Sequence, residues 1–103
     1  MPQGALAMLV LSILRTGPLH GYAIAQRIRQ LSDSVLEAEE GSLYPTLQRL
    51  LLEGWVRAKW GTSETSRRVR LYELTPQGRR QLKREVTEYK EVTAAIQAIL
   101  RTA

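Results

Sequence analysis

Apolar residues recur along this chain at helical spacing in three early segments, at alternating spacing in two short ones, and at helical spacing again in a long tail. Leu6, Leu9, Val10, Ile13 and Leu14 follow the i, i+3, i+4, i+7, i+8 pattern of a helix with one buried face. This predicts a first helix from about Gly4 to Arg15, stopped by Gly17-Pro18. A second helix is expected from near His20 to about Leu31, with Tyr22, Ile24, Ala25, Ile28 and Leu31 on its apolar side and Gln26, Arg27, Arg29 and Gln30 on the wet one. Ser32-Asp33-Ser34 breaks it, and Val35 to Gly41 reads as a connector rich in acids. A third helix is expected from Ser42 to just before Gly54. Ser42 is its N-cap, Pro45 falls where the first turn needs no internal donor, and Leu43, Leu47, Leu50 and Leu51 share one arc.

Beyond Gly54 the period changes. Residues 55–60 partly alternate, with Arg57 and Lys59 on one side and Val56, Ala58 and Trp60 on the other. Residues 68–74 form a second expected strand, and the Gly-, Ser- and Thr-rich stretch between them reads as a flexible hairpin loop. Thr75-Pro76 opens a last helix as N-cap and first helical residue, running to about Leu100. Three helices, a β-hairpin and a long helix give an α+β, mainly α, winged helix-turn-helix with a two-stranded β wing. Residues 1–75 are expected to form the winged-helix DNA-binding domain, and residues 76–103 a C-terminal dimerisation helix packed on the same domain.

Composition narrows the function. The chain has 103 residues, enough for one modest core, and neither Cys nor Phe. Absence of Cys excludes disulfides, thiolate metal sites and cysteine nucleophiles, and fits a reducing cytoplasm. The apolar run from Ala5 to Leu14 is too short to span a bilayer and lacks the basic lead and cleavage site of a signal peptide. The net charge of +5 is unevenly placed. Residues 57–84 hold nine Lys and Arg against Glu64 and Glu73, a local +7 that leaves the remainder at −2. One-sided basicity of this kind is the footprint of a polyanion partner, or of a solubilising basic face.

Candidate contacts with double-stranded DNA follow from helical phase. Opposite the four leucines of the third helix lie Pro45, Gln48, Arg49 and Leu52, with Ser42 and Tyr44 on the flanks. Delivered to a major groove, Gln48 suits an adenine edge, Arg49 a guanine, and Tyr44 a base or phosphate. The N–H groups at the start of this helix favour a phosphate. The wing would add Arg67 and Arg68, with Arg57, Lys59 and Arg70 extending the strip. Arg79, Arg80, Lys83 and Arg84 would either flank the backbone or pair with Glu85, Glu88 or the acidic connector. In the last helix Leu82, Val86, Tyr89, Thr93, Ile96 and Leu100 keep the 4,3 spacing of a coiled-coil seam, the mark of a homodimer. Nothing resembles an enzyme site. There is a single histidine, His20, read as a structural residue, with no phosphate-binding glycine loop and no acid–base partner for Glu37, Glu39 and Glu40. No metal and no cofactor is expected.

Several blocks carry a family resemblance. They are Gly17-Pro18-Leu19-His20-Gly21-Tyr22; Glu40-Gly41-Ser42-Leu43-Tyr44-Pro45-Thr46-Leu47 with Arg49-Leu50 and Gly54; Trp60-Gly61; Arg67-Arg68; and Tyr72-Glu73-Leu74-Thr75-Pro76-Gln77-Gly78. In this order they resemble the PadR family of bacterial transcriptional regulators over nearly the whole chain, in its short form with one C-terminal helix. The resemblance implies a winged helix, a homodimer built on the terminal helix, repression of nearby genes from a palindromic operator, and Ser42 and Tyr44 on the reading helix. Leu52, Val69 and Leu71 depart from the pattern. Two alternatives stand beside it. One is a ligand-responsive regulator whose small aromatic effector is walled by Trp55, Trp60 and Tyr89. The other is a protein–protein adaptor using the terminal helix.

Overall fold

The computed structural model describes residues 4–102. The outer ends of the two expected segments, at residues 1–3 and 103, lie outside the described residues. The order is α1 (Ala5–Ile13), a turn of 3-10 helix (Leu14–Thr16), β1 (Leu19–His20), α2 (Gly21–Leu31), α3 (Glu40–Leu52), β2 (Val56–Thr62), β3 (Arg68–Leu74) and α4 (Pro76–Thr102). This is the expected mainly helical winged helix, with one strand more than the hairpin alone.

α1 is the hub and packs on α2, α3 and α4. Its Ala7, Val10 and Leu11 are buried, while Leu6, Met8, Leu9 and Ile13 are partly covered. Ile24 and Ile28 of α2 and Leu43, Leu47 and Leu50 of α3 close the core from the other side. Burial of each such side chain is worth roughly 1.5–3 kcal/mol, which is what orients these short helices. Leu51 is partly buried against the same cluster. In α2, by contrast, Tyr22 and Leu31 point outward, so the inward arc is Gly21, Ile24 and Ile28. The apolar arc of α2 is thus narrower than expected, with Ala25 partly covered beside Ile24 and Ile28 but Tyr22 and Leu31 left outside it.

α3 starts two residues earlier than Ser42. Glu39 occupies the cap position without a side-chain cap bond, and its carbonyl accepts from the amides of Ser42 and Leu43 at 3.0 and 2.8 Å. Ser42 is therefore helical, and its carbonyl accepts from Thr46 Oγ1 at 2.8 Å. Pro45 is then the sixth helical residue, and Gly41, four residues back, is exposed to water. A carbonyl left without an intrahelical donor is tolerated where water reaches it. Glu40 in the first turn is favoured by the helix dipole, which accounts for the earlier start.

β1 escapes a periodicity reading because two residues have no period. It pairs with β3, Leu19 opposite Tyr72 and His20 opposite Leu71, giving the antiparallel order β1-β3-β2. β2 and β3 pair from Val56 opposite Leu74 to Thr62 opposite Arg68. The loop joining them is structured. Ser66 donates to the Ser63 carbonyl at 3.0 Å, Ser63 donates to that of Arg67 at 2.8 Å, and the Arg67 amide reaches Ser63 Oγ at 3.2 Å. Ser66 takes the left-handed conformation, φ 63°, that such a bulged hairpin turn requires.

α4 is anchored at its start. Thr75 Oγ1 donates to the Gly54 carbonyl at 2.7 Å and accepts from the Gly78 amide at 3.0 Å, the N-cap role expected of it. Gly78 lies so close to β2 that a Cβ there would fall 2.0 Å from the Trp55 carbonyl oxygen. Leu82 is buried in the domain core and Val86 packs against it. The 27-residue helix, about 40 Å long, then leaves the domain. From Thr87 to Thr102 every side chain except half-buried Thr93 is exposed.

Candidate nucleic-acid interface

The outward arc of α3 holds the residues singled out from its phase. Ser42, Pro45, Gln48 and Arg49 are all exposed, and Leu52 beside them is 80 % exposed. Tyr44 is 48 % exposed because one edge of its ring rests on α2. A Cβ on Gly21 would lie 2.9 Å from the Tyr44 hydroxyl oxygen and 3.1 Å from its ring. Gly21 thus lets α2 and α3 approach, and the contact fixes where the phenol points. The Arg49 guanidinium sits 5.9 Å from the centre of the Trp55 ring.

The wing divides its charges between two faces. Directly opposed residues of an antiparallel pair share a face, so Val56, Ala58, Trp60 and Thr62 lie with Arg68, Arg70, Tyr72 and Leu74. At the root of the wing this face is core, with Val56, Tyr72 and Leu74 buried. Farther out the same face carries exposed Trp60, Arg68 and Arg70 on the helix side of the sheet. The opposite face carries Arg57 and Lys59, and there Glu73 meets both, at 2.7 and 3.7 Å. The hydrogen bond from Arg57, then the charge of Lys59, holds the Glu73 carboxyl below the usual carboxylate range despite partial desolvation. The single strip expected from Arg57, Lys59, Arg68 and Arg70 is therefore corrected. Arg57 and Lys59 lie on the other face, where Glu73 offsets part of their charge, whereas Arg68 and Arg70 lie on the face that is core at its root and sit over aromatic rings, Arg68 4.5 Å from the centre of Trp60 and Arg70 6.0 Å from that of Tyr72. Exposed Arg67 sits at the mouth of the turn.

Two further features were missed from sequence. The wing tip, Thr62 to Thr65, and the first turn of α2, with Leu19, His20, Tyr22 and Gln26, frame a cleft of about 490 Å³. Tyr22, 66 % exposed, thereby joins the candidate contacts. Its ring lies 6.3 Å from that of His20. The signal was its place in the first turn of α2, which the wide apolar arc obscured. The second feature is the pair Glu39 and Glu40, both exposed at the start of α3. Their charge opposes the phosphate expected there.

The basic start of α4 does not pair with Glu85 or Glu88 among the described residues. Arg84 donates to Gln81 Oε1 at 2.6 Å, and Arg79 and Lys83 line a groove with Ser12 of α1 and Arg15 of the 3-10 turn that follows it. On the projecting part of α4, Tyr89, Ile96 and Leu100 of the expected seam are exposed, but Leu82 is corrected to the domain's own core. Val92 and Ile99 are exposed as well, so the free stripe is wider than the seam read from spacing and centres on Tyr89 and Ile96. Glu85 enters this stripe at the domain end, with one carboxylate oxygen buried and unpartnered. Trp55, Trp60 and Tyr89, the expected effector walls, sit on the α3–β2 junction, on β2 and on α4, and line neither cleft described above. Among the described residues no helix is long and apolar enough to cross a membrane, and no group of acids and histidine is arranged to hold a metal.

Three helices on a small antiparallel sheet, an outward α3 and a basic wing define a winged helix-turn-helix protein. The chain belongs to the transcriptional regulator PadR-like family, whose model matches residues 10–84. The members of that family are described as transcriptional regulators. Its fold is similar to a transcriptional regulator from Clostridium thermocellum, with a TM-score of 0.84, 29 % identity, and 92 % of each chain covered. It is also similar to Bacillus subtilis PadR solved in complex with operator DNA, with a TM-score of 0.71 and 27 % identity over 82 % of this chain and 48 % of that one. An uncharacterized 37.1 kDa protein in transposon TN4556 of Streptomyces fradiae is 47 % identical over 78 residues, 76 % of this chain and 21 % of that protein. The chain spans less than half the length of the first curated relatives it matches.

Proposed function

We propose that this chain binds duplex DNA sequence-specifically as a homodimer and represses transcription from a palindromic operator. The observation that carries the reading is the separation of charge on the wing. One carboxylate, Glu73, offsets part of the charge of Arg57 and Lys59 on one face, while Arg68 and Arg70 on the other have no acidic partner among the described residues. A basic patch that merely aided solubility would need no such sorting. In this reading α3 enters the major groove with Gln48 and Arg49 on base edges, Tyr44 and Ser42 beside them, and Pro45 against an apolar edge. Arg67, Arg68 and Arg70 contact backbone or minor groove from the wing. The similarity to a PadR chain solved on operator DNA supports the same docking.

Dimerisation is assigned to α4, residues 76–102, with residues 4–75 as the reading domain. The exposed stripe through Tyr89, Val92, Ile96 and Ile99 is a continuous apolar surface on a helix with nothing of its own domain to cover it. Val86, Thr93 and Leu100 flank it. A second copy would cover the stripe, offer Glu85 a donor, and set two reading helices about one DNA turn, roughly 34 Å, apart.

Selection of bound fragments from genomic DNA, followed by binding across a salt series, tests the proposal. A dimer touching about 6–10 phosphates gives a log–log salt slope near −5 to −9. Replacing Arg67 and Arg68 together with Ala weakens binding to all duplexes alike, whereas Gln48→Ala changes which sequences are preferred. A monomer that binds no duplex at low salt would favour the adaptor reading instead.

A further inference from the structure

The arginines on the helix side of this protein share a feature that those on the opposite face lack. Arg49, Arg68 and Arg70 each lie over an aromatic ring, Trp55, Trp60 and Tyr72 respectively. None of the three forms an ion pair among the described residues, where the pairs are Arg29–Glu37, Arg57–Glu73 and Lys59–Glu73. The closest stack is Arg68 on Trp60, at 4.5 Å, and Trp60 is itself 62 % exposed. An indole left this open on a wing contributes little to the core. Its neighbours across the strands are Arg70, directly opposite, and Arg68, diagonally toward the tip.

We infer that Trp60 is a positioning residue for Arg68 in DNA binding, an inference that rests on the DNA-binding reading above. The reasoning is one of entropy and donor count. A free arginine side chain loses about 2 kcal/mol of rotamer freedom when fixed. Stacking on an indole takes that loss before DNA arrives. It leaves the five N–H donors free around the edge of the guanidinium plane. A carboxylate partner would also hold the arginine, as Glu73 holds Arg57 at 2.7 Å, but it would consume donors and cancel the charge a phosphate is to meet. Of the two, only holding by a ring keeps Arg68 oriented while leaving its charge uncompensated.

The test is a double-mutant cycle in the full chain, read by fluorescence anisotropy on a labelled 24-base-pair duplex of alternating A and T at low salt. Because Trp60 is exposed, Trp60→Thr keeps the strand and leaves the thermal midpoint near that of the parent. It weakens binding about threefold to tenfold, the range of a partly exposed cation–π pair. Trp60→Phe, which retains a ring face, restores affinity to within about twofold. In an Arg68→Ala background Trp60→Thr costs nothing further. Affinity unchanged in Trp60→Thr overturns the inference. So does full additivity with Arg68→Ala, which would mean that the indole touches DNA on its own account, and so does failure of Phe to rescue. A parent chain that fails to bind the duplex at all overturns the DNA-binding reading itself, a result distinct from these three.

Discussion

Two glycines separate packing from function at single-residue scale. Gly78 and Gly21 both sit in helices, where Ala is favoured over Gly by about 0.8–1 kcal/mol. At Gly78 a Cβ would meet the backbone carbonyl of Trp55 at 2.0 Å, and a backbone cannot swing aside. Overpacking then outweighs propensity, so Gly78→Ala is expected to destabilise the fold by about 2–3 kcal/mol, lowering the thermal midpoint by roughly 8–20 °C in calorimetry. At Gly21 the atoms in the way belong to the end of the Tyr44 side chain, which can move. Gly21→Ala is therefore expected to leave stability within about 1 kcal/mol while displacing the phenol. Its effect appears in DNA affinity, as a loss comparable to that of Tyr44→Ala. Glu73 supplies a pH-dependent counterpart. Its folded carboxyl titrates below the usual range because Arg57 donates to it. Its contribution to stability is thus present above the unfolded value and is lost as pH falls through the lowered folded one. Melting at pH 7 and pH 3 should therefore show a smaller acid loss in Glu73→Gln than in the parent.

At the scale of elements, legibility followed the strength of the repeating pattern. The buried arc of α3 and the Thr75-Pro76 start of α4 were readable because each rests on residues at fixed spacing, whereas in α1 and its 3-10 turn, apolar on nearly every side, Val10 and Leu14 are buried as expected but Ala7 and Leu11 take the places expected of Leu6, Leu9 and Ile13. β1 was not, since Leu19 and His20 pair with β3 through backbone groups that leave no periodic trace. The sorting of Arg57 and Lys59 from Arg68 and Arg70 was half readable. Alternation put Arg57 and Lys59 on one side of β2, but the register with β3 decides which of its arginines share that side. Leu82 fitted two patterns at once, core and seam, and only packing against α1 chooses between them. The start of α3 was displaced because Ser42 is a good cap in isolation, yet Glu40 at a helix N-terminus is favoured too. That displacement has a consequence for binding. Glu39 and Glu40 bring negative charge to the end of α3 that is expected to meet DNA. Glu40→Gln should tighten binding to any duplex about twofold to fivefold at low salt, with the gain vanishing as salt rises, measured by anisotropy over a salt series.

At the scale of the molecule, a reading domain and a protruding helix share one 53 Å long body. The domain alone offers DNA a few phosphate contacts, and non-specific binding of that kind is weak at physiological salt. On the proposed homodimer reading, specific affinity depends on joining two such domains, so the exposed stripe of α4 should control DNA binding from a distance. Ile96 lies near the middle of that stripe and is 51 % exposed, so a charge there still reaches water in the single chain. In a coiled-coil seam the same charge is buried against a second helix and is strongly unfavourable. Ile96→Asp should therefore leave the fold intact, as judged by circular dichroism, while converting the particle from dimer to monomer in light scattering. Its salt slope should fall to about half that of the parent, because half the phosphates are released. A variant that stays dimeric with an unchanged slope would show that the two copies meet elsewhere, and the spacing expected between their reading helices would have to be drawn from that other surface.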